Sequence, residues 1–297
     1  MENTKKLKMQ EIVETIIADM KSGVLPWEKP WVASGLCALN ASTGKAYRGI
    51  NTLYLASVQS LHAFKTSRWV TFRQAMLAGG RIKAGAKGNT VVFYERTAKK
   101  EKTEKEDGTT EETLKAYSLL KFYTVFNLDQ TEGLEKLYPV ATEEKRFEDV
   151  DTAEALIART GAVINHLEQG KSFYSPSADA ITLPLKTSFK SNTGYYSTAF
   201  HELTHWTGNE TRLNRDMKHP FGSPEYAFEE LVAELGAAFL MNRVAMPYST
   251  QHAAYVESWI KVLEKDVRNI FRAAALAQNA ADLVLGTSFT EKEEAAA

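Results

Sequence analysis

The residues best suited to chemistry stand in "STAFHELTHWTG", Ser197 to Gly208, which contains His-Glu-x-x-His. On a helix His201 and His205 lie one turn apart, so both imidazoles leave the same face and can share a metal ion. Glu202, beside the first histidine, can reach a water on the ion rather than the ion itself. Two neutral ring nitrogens, a carboxylate able to take a proton and an open coordination position are what a zinc hydrolase requires. The plain alternative is a surface helix that happens to carry two histidines. With six histidines in 297 residues that coincidence is uncommon, and the stop at Gly208 favours the motif.

A third ligand must come from elsewhere. The extended pattern with a further histidine six residues after the second fails, because position 211 is threonine. The other solution draws a glutamate from a following helix. "EYAFEELVAELGAAFL" (225–240) supplies Glu229, Glu230 and Glu234 among apolar and small residues, where a charge is costly unless compensated. Glu230 and Glu234 are one turn apart, so one can bind metal while the other orients a histidine. The stretch resembles the E-x-x-A-[DN] signature of gluzincin-like families, whose first glutamate is the ligand. Glu230 is the expected ligand, with Glu229 its rival, and Glu234 or Glu229 the orienting or alternative group. At least one of the three is expected on a solvated face. The ion is expected to be Zn2+, or another divalent metal such as Mn2+. "DAITLP" (179–184) is a candidate edge strand beside such a cleft. Tyr195, Tyr196 and Tyr226 are candidate hydrogen-bond donors to a transition state, although an aromatic in the core or at a rim is the commoner case.

These residues need a scaffold. Three helices are expected for them, at 197–207, about 224–243 and about 251–275, preceded by a helix and strand in "AEALIARTGAVINHL" and two short strands in "SFYSPSADAITLP". Earlier in the chain, Ile12, Val13, Ile16, Ile17 and Met20 predict an amphipathic helix over 8–21. "VLPWEKPW" (24–31) reads as a rigid irregular loop. A turn and helix are expected in 40–58, and residues 68–96 read as helix, Gly-Gly stop, basic turn and strand. Residues 97–113 have Ala98 as their one apolar residue, predicting a solvated, flexible hairpin tip before a strand over 114–128. The fold class expected is α+β in two domains: 1–137 binding nucleic acid, a linker at 138–150, and a metal-binding domain over 151–297.

Composition bounds the setting. Hydrophobic residues make up 44% and charged residues 25%, the balance of a globular protein with a proper core. No apolar run reaches the ~18 residues of a membrane span, and no signal peptide is evident. The single cysteine, Cys37, suits a reducing compartment, so a cytoplasmic location and no membrane partner are expected. The net charge of −1 hides an asymmetry. Residues 1–95 hold nine Lys and four Arg against six acids, a net +7, which leaves −8 for the rest. Two domains with different partners are implied.

The basic half interleaves cations with aromatic rings, the combination that holds the phosphates and unstacked bases of a single strand. Trp69, Phe72, Phe93 and Tyr94 lie in regular elements and are expected to pack. Trp27, Lys29, Trp31, Lys45, Tyr47, Arg48, Arg73, Lys83 and Lys87 are the candidate contacts to single-stranded DNA.

"LPWEKPW", "TGKAYRGINTLYL", "WVTFRQA", "FYTVFNLDQTEGL" and "YYSTAFHELTHWTG…RLNR…FGS…YAFEELVAELGAAFL" together resemble the ArdC-type antirestriction proteins of conjugative plasmids. The likeness spans the chain apart from 97–113 and the tail after about residue 286. These blocks share their order with few other proteins, among them the N-terminal part of TraC-type plasmid primases. The resemblance implies an N-terminal single-stranded-DNA-binding domain and a C-terminal zincin-like metallopeptidase domain. It also implies a role in protecting incoming plasmid DNA from host restriction. It carries the metal motif onto His201, Glu202 and His205, and the third ligand only as a glutamate of the "EELVAEL" helix. The alternative reading is a zinc metallopeptidase that cleaves a host protein and uses DNA only for localisation.

Overall fold

The computed structural model describes residues 2–23, 25–27, 38–104, 110–134, 150–168, 170–248 and 255–287, with side chains except at 2–4 and 94–119. Lys29, Trp31, Cys37 and, apart from Val150, the expected linker 138–150 lie outside the described residues.

Helix α1 (Glu2–Lys21) buries Ile12, Val13, Ile16 and Met20, the apolar stripe of its sequence, and stops where Gly23 adopts φ 80°. Helix α2 (Ile50–Leu61) is buried over residues 50–58 and forms the centre of the first half. Around it runs a four-stranded sheet in the order β1 (Leu39–Asn40), β2 (Arg68–Thr71), β5 (Thr110–Asn127), β4 (Asn89–Glu104). The helix expected from residue 68 begins only at Phe72 (α3, Phe72–Leu77). Arg68–Thr71 is a strand, and Thr71 closes it while capping the helix through reciprocal bonds with Gln74.

The charged tip also needs correction. Strands β4 and β5 stay paired from Asn89↔Val125 to Glu104↔Thr110, so most of 97–113 is ladder, and only 105–109 lie outside the description. A two-stranded ladder bonds backbone to backbone and requires no apolar side chains, which is why composition misjudged it.

A satellite module completes this half. Strands β3 (Arg81–Ile82) and β6 (Thr131–Glu132) pair beside α3 over a small core of Ala41, Val70, Ala75 and Leu134. Gly80 is required there, because a Cβ would stand 2.4 Å from Leu134 Cγ.

In the second half, α4 (Val150–Thr160) precedes a sheet ordered β7 (Val163–Leu167), β9 (Ala180–Pro184), β8 (Phe173–Ser175). "DAITLP" is therefore the central strand, parallel to β7 and antiparallel to β8, and not an edge. Its Ile181 and Leu183 are fully buried, as a central strand demands. Helices α5 (Asn192–Thr207) and α6 (Pro224–Arg243) follow, capped by Ser191 and Ser223. The single helix expected over 251–275 is two, α7 (Val256–Lys265) and α8 (Arg268–Leu285), broken at Asp266, whose backbone is extended. Among the described residues no helix is long and apolar enough to cross a membrane.

The two halves share one continuous core. Helix α1 packs on α7 and α2 on α8. Trp27 meets Trp259 edge-on at 6.0 Å between ring centroids, and Arg48 forms an ion pair with Asp282 across the joint.

Candidate metal centre

Helices α5 and α6 cross closely because of one residue. A Cβ on Gly236 would lie 2.5 Å from Thr204 Cγ2, so only glycine allows this approach. The approach sets the glutamates of α6 against the histidines of α5.

His201 and His205 turn their Nε2 atoms toward one another, 3.2 Å apart. Glu230 faces both, with Oε2 3.5 Å from His201 Nε2 and Oε1 3.5 Å from His205 Nε2. The opposite ring nitrogens also meet carboxylates: His201 Nδ1 lies 3.3 Å from Glu234 and His205 Nδ1 3.2 Å from Glu229. Glu230 is thus the carboxylate at the convergence point, while Glu234 and Glu229 each orient one ring. The expectation that one of the three would be solvated does not hold, since Glu229, Glu230 and Glu234 are 8%, 6% and 0% exposed. Each charge is compensated, as burial demands.

Glu229 is compensated twice. Arg215, nearly buried itself, donates from Nη2 at 2.8 Å and from Nε at 3.1 Å to its carboxylate. The same guanidinium donates to the Thr204 carbonyl and to Thr207 Oγ1, tying the clamp to α5. Burial alone would raise the pKa of Glu229, but His205 and Arg215 outweigh it and hold the carboxyl below its usual range. Arg215 went unassigned in the sequence, although it stands in "RLNR". A buried glutamate in need of a partner was the available signal.

The donor set fits a divalent ion. His201, His205 and Glu230 offer ligand atoms all within 4.8 Å of one another. A ligating histidine commonly gives its second ring nitrogen to a carboxylate, as both do here. Burial would lower the pKa of each imidazole. The carboxylates win, raising His201 to about 10 and His205 to about 9, while Glu230 is strongly lowered. Protons and metal therefore compete for the same ring nitrogens.

Glu202, 5% exposed, lines a cleft of about 290 Å3 together with these ligands. One wall is Ser172, Phe173, Tyr174 and Pro176, so the edge strand at the cleft is β8. A latch holds that wall: Arg212 pairs with Asp179, Asp179 accepts from the Tyr174 hydroxyl at 2.8 Å, and Arg212 stacks 3.8 Å from the Trp206 ring. The other wall includes Tyr226, whose hydroxyl bonds to Glu230 and Tyr255; burial and these neighbours push its pKa strongly up. Tyr195 and Tyr196 point elsewhere, to His166 and Glu154 respectively.

The nucleic-acid candidates scatter. Trp27 and Tyr47, 2% and 5% exposed, are core residues and present no free ring face, which corrects their expected exposure. Their loop and turn settings concealed that Trp27 packs on Trp259 across the joint and that Tyr47 packs on Phe93 within the first half. Arg48 is engaged with Asp282. Lys45, Arg73, Lys83 and Lys87 are exposed. Phe72, expected to pack, is 59% exposed on α3, whereas Trp69 is buried as expected.

Comparison with known proteins fits this layout. The family described as the N-terminal domain of anti-restriction factor ArdC matches residues 6–126, and that of zincin-like metallopeptidases matches residues 151–276. DNA primase TraC of Escherichia coli is 39% identical over 307 residues, covering 99% of this chain, which spans only 28% of that protein's length. The crystal structure of metal-free ArdC from the R388 plasmid superposes with a TM-score of 0.75 at 37% identity, covering 93% of this chain and 96% of that one. The Mn(II)-bound structure of the same protein gives 0.74 at 36% identity, with 94% and 97% covered. With a buried His/His/Glu site suited to a divalent metal in its zincin-like domain, the chain belongs to the ArdC-type antirestriction family.

Proposed function

We propose that this chain binds single-stranded DNA in the cytoplasm and protects incoming plasmid DNA from host restriction during conjugation. The charge of the satellite module carries the reading. Residues 38–49, 65–90 and 127–134 hold eight Lys and Arg against two acids, Asp129 and Glu132. Both acids are engaged, Asp129 with the Lys65 amide and Glu132 with Arg81. Phe72, exposed beside Arg73, offers a ring for a base next to a cation for a phosphate. Phe72→Ala is expected to weaken single-strand binding by ~1–3 kcal/mol in an electrophoretic shift assay, with affinity falling steeply as salt rises. Unchanged affinity in Phe72→Ala and Arg73→Ala alike counts against this surface.

A second reading, a metallopeptidase acting on a host protein with DNA used for localisation, is favoured by Glu202 standing in the cleft beside the three convergent donors. A divalent ion held there supplies a Lewis acid. Glu202 would accept a proton at its carboxylate, and β8 would align an extended chain along the cleft. The two readings separate in one restriction-protection assay. Glu202→Ala abolishes protection under the second reading and leaves it intact under the first, while Phe72→Ala impairs the first.

A further inference from the structure

Glu202 and His201 also line a second cavity, of about 260 Å3, bordered by Glu234 and not by Glu230. It meets the metal cleft at Ser172, His201 and Glu202, so a chain lying across the cleft can place one side chain in it. The volume falls below the ~300 Å3 at which pockets begin to enclose whole small ligands, and suits a single large side chain. Its walls include Pro184 at the end of β9 and the aromatic rings of Phe189 and Tyr248, with Gly170, Ser172 and Thr198 adding polar and small surface between them. On the α5 side stands Ser197, 1% exposed, whose Oγ has no hydrogen-bond partner among the described residues. A buried hydroxyl left in that state calls for a partner from whatever fills the cavity. Glu202 and Glu234 border the same space, which disfavours an acidic occupant.

We propose that this cavity is a specificity pocket that takes a tyrosine-like side chain of a protein substrate, with Phe189 packing on the ring and Ser197 bonding its hydroxyl. The inference rests on the peptidase reading of the metal cleft.

Binding tests it without requiring turnover. The Mn(II)-loaded full chain is titrated by calorimetry with hydroxamates that share a metal-binding head and differ in side chain: methyl, benzyl, 4-hydroxybenzyl, 4-aminobutyl and carboxyethyl. The 4-hydroxybenzyl compound is expected to bind at least roughly tenfold more tightly than methyl, and carboxyethyl the most weakly. Ser197→Ala should erase the advantage of 4-hydroxybenzyl over benzyl and leave the methyl compound unaffected. Phe189→Ala should weaken both aromatic compounds together. Equal affinity across the series, or tightest binding by aminobutyl, overturns the pocket while leaving the open metal position standing. Failure of every hydroxamate to bind removes the open position itself, and the pocket falls with it.

Discussion

The crossing of α5 and α6 and the satellite module around α3 are built on opposite principles. At the crossing, two imidazoles, three carboxylates and a guanidinium are withdrawn from water, and each is held by at least one other. Around α3, lysines and arginines stand in solvent over a core of only a few small apolar residues. The first arrangement fixes geometry before any ion arrives. The second sets its charge on long side chains at the surface, where Arg81 and Lys83 meet Glu132 and the Asp129 carbonyl in solvent. Preorganisation suits a metal, whose bond lengths are narrow, and adaptability suits a polyanion.

The sharpest break in this contrast is His201→Ala. Metal uptake, followed by calorimetry, should fall by more than the roughly 100-fold that marks loss of an orienting partner, while single-strand binding is retained. Parallel loss of DNA binding would show that the two regions are not independent. Trp27→Ala comes next. As a core residue packed on Trp259 it should cost ~3–5 kcal/mol in denaturant unfolding. Unchanged stability together with weakened DNA binding would return Trp27 to the surface role its loop setting suggested.

Glu229→Gln keeps shape but removes the charge that His205 and Arg215 share. Metal affinity should drop about 10–100-fold, and an unaltered affinity would reduce Glu229 to a structural partner of Arg215. The smallest effect belongs to Lys87→Ala, expected to lower the slope of log affinity against log salt by about 1 without altering metal binding. A slope that does not move would place Lys87 outside the phosphate-binding surface.

Legibility followed the same contrast. His201 and His205 could be paired in advance because helical spacing alone puts them on one face, whereas the need for compensation in an apolar helix marked Glu229, Glu230 and Glu234 alike and only a resemblance favoured Glu230. Arg215 could not be assigned, since the loop that returns it to Glu229 has no periodicity to read. "DAITLP" was recognised as a strand but misplaced at an edge, because alternation does not reveal how many neighbours a strand will have. In the basic half, residue type suggested single-strand binding, yet Trp27, Tyr47 and Phe72 each took the opposite exposure from that expected.

The sequence by itself determined the metal-binding residue types, their helical pairing, the α+β two-domain class and the charge asymmetry. All of these depend on contacts within a few turns of chain or on composition. Tertiary structure alone decided which glutamate faces both histidines, which strand borders the cleft and which aromatics reach solvent. Those outcomes depend on where distant segments meet. Here they turn on the close approach that Gly236 permits and on the shared core in which Trp27 meets Trp259.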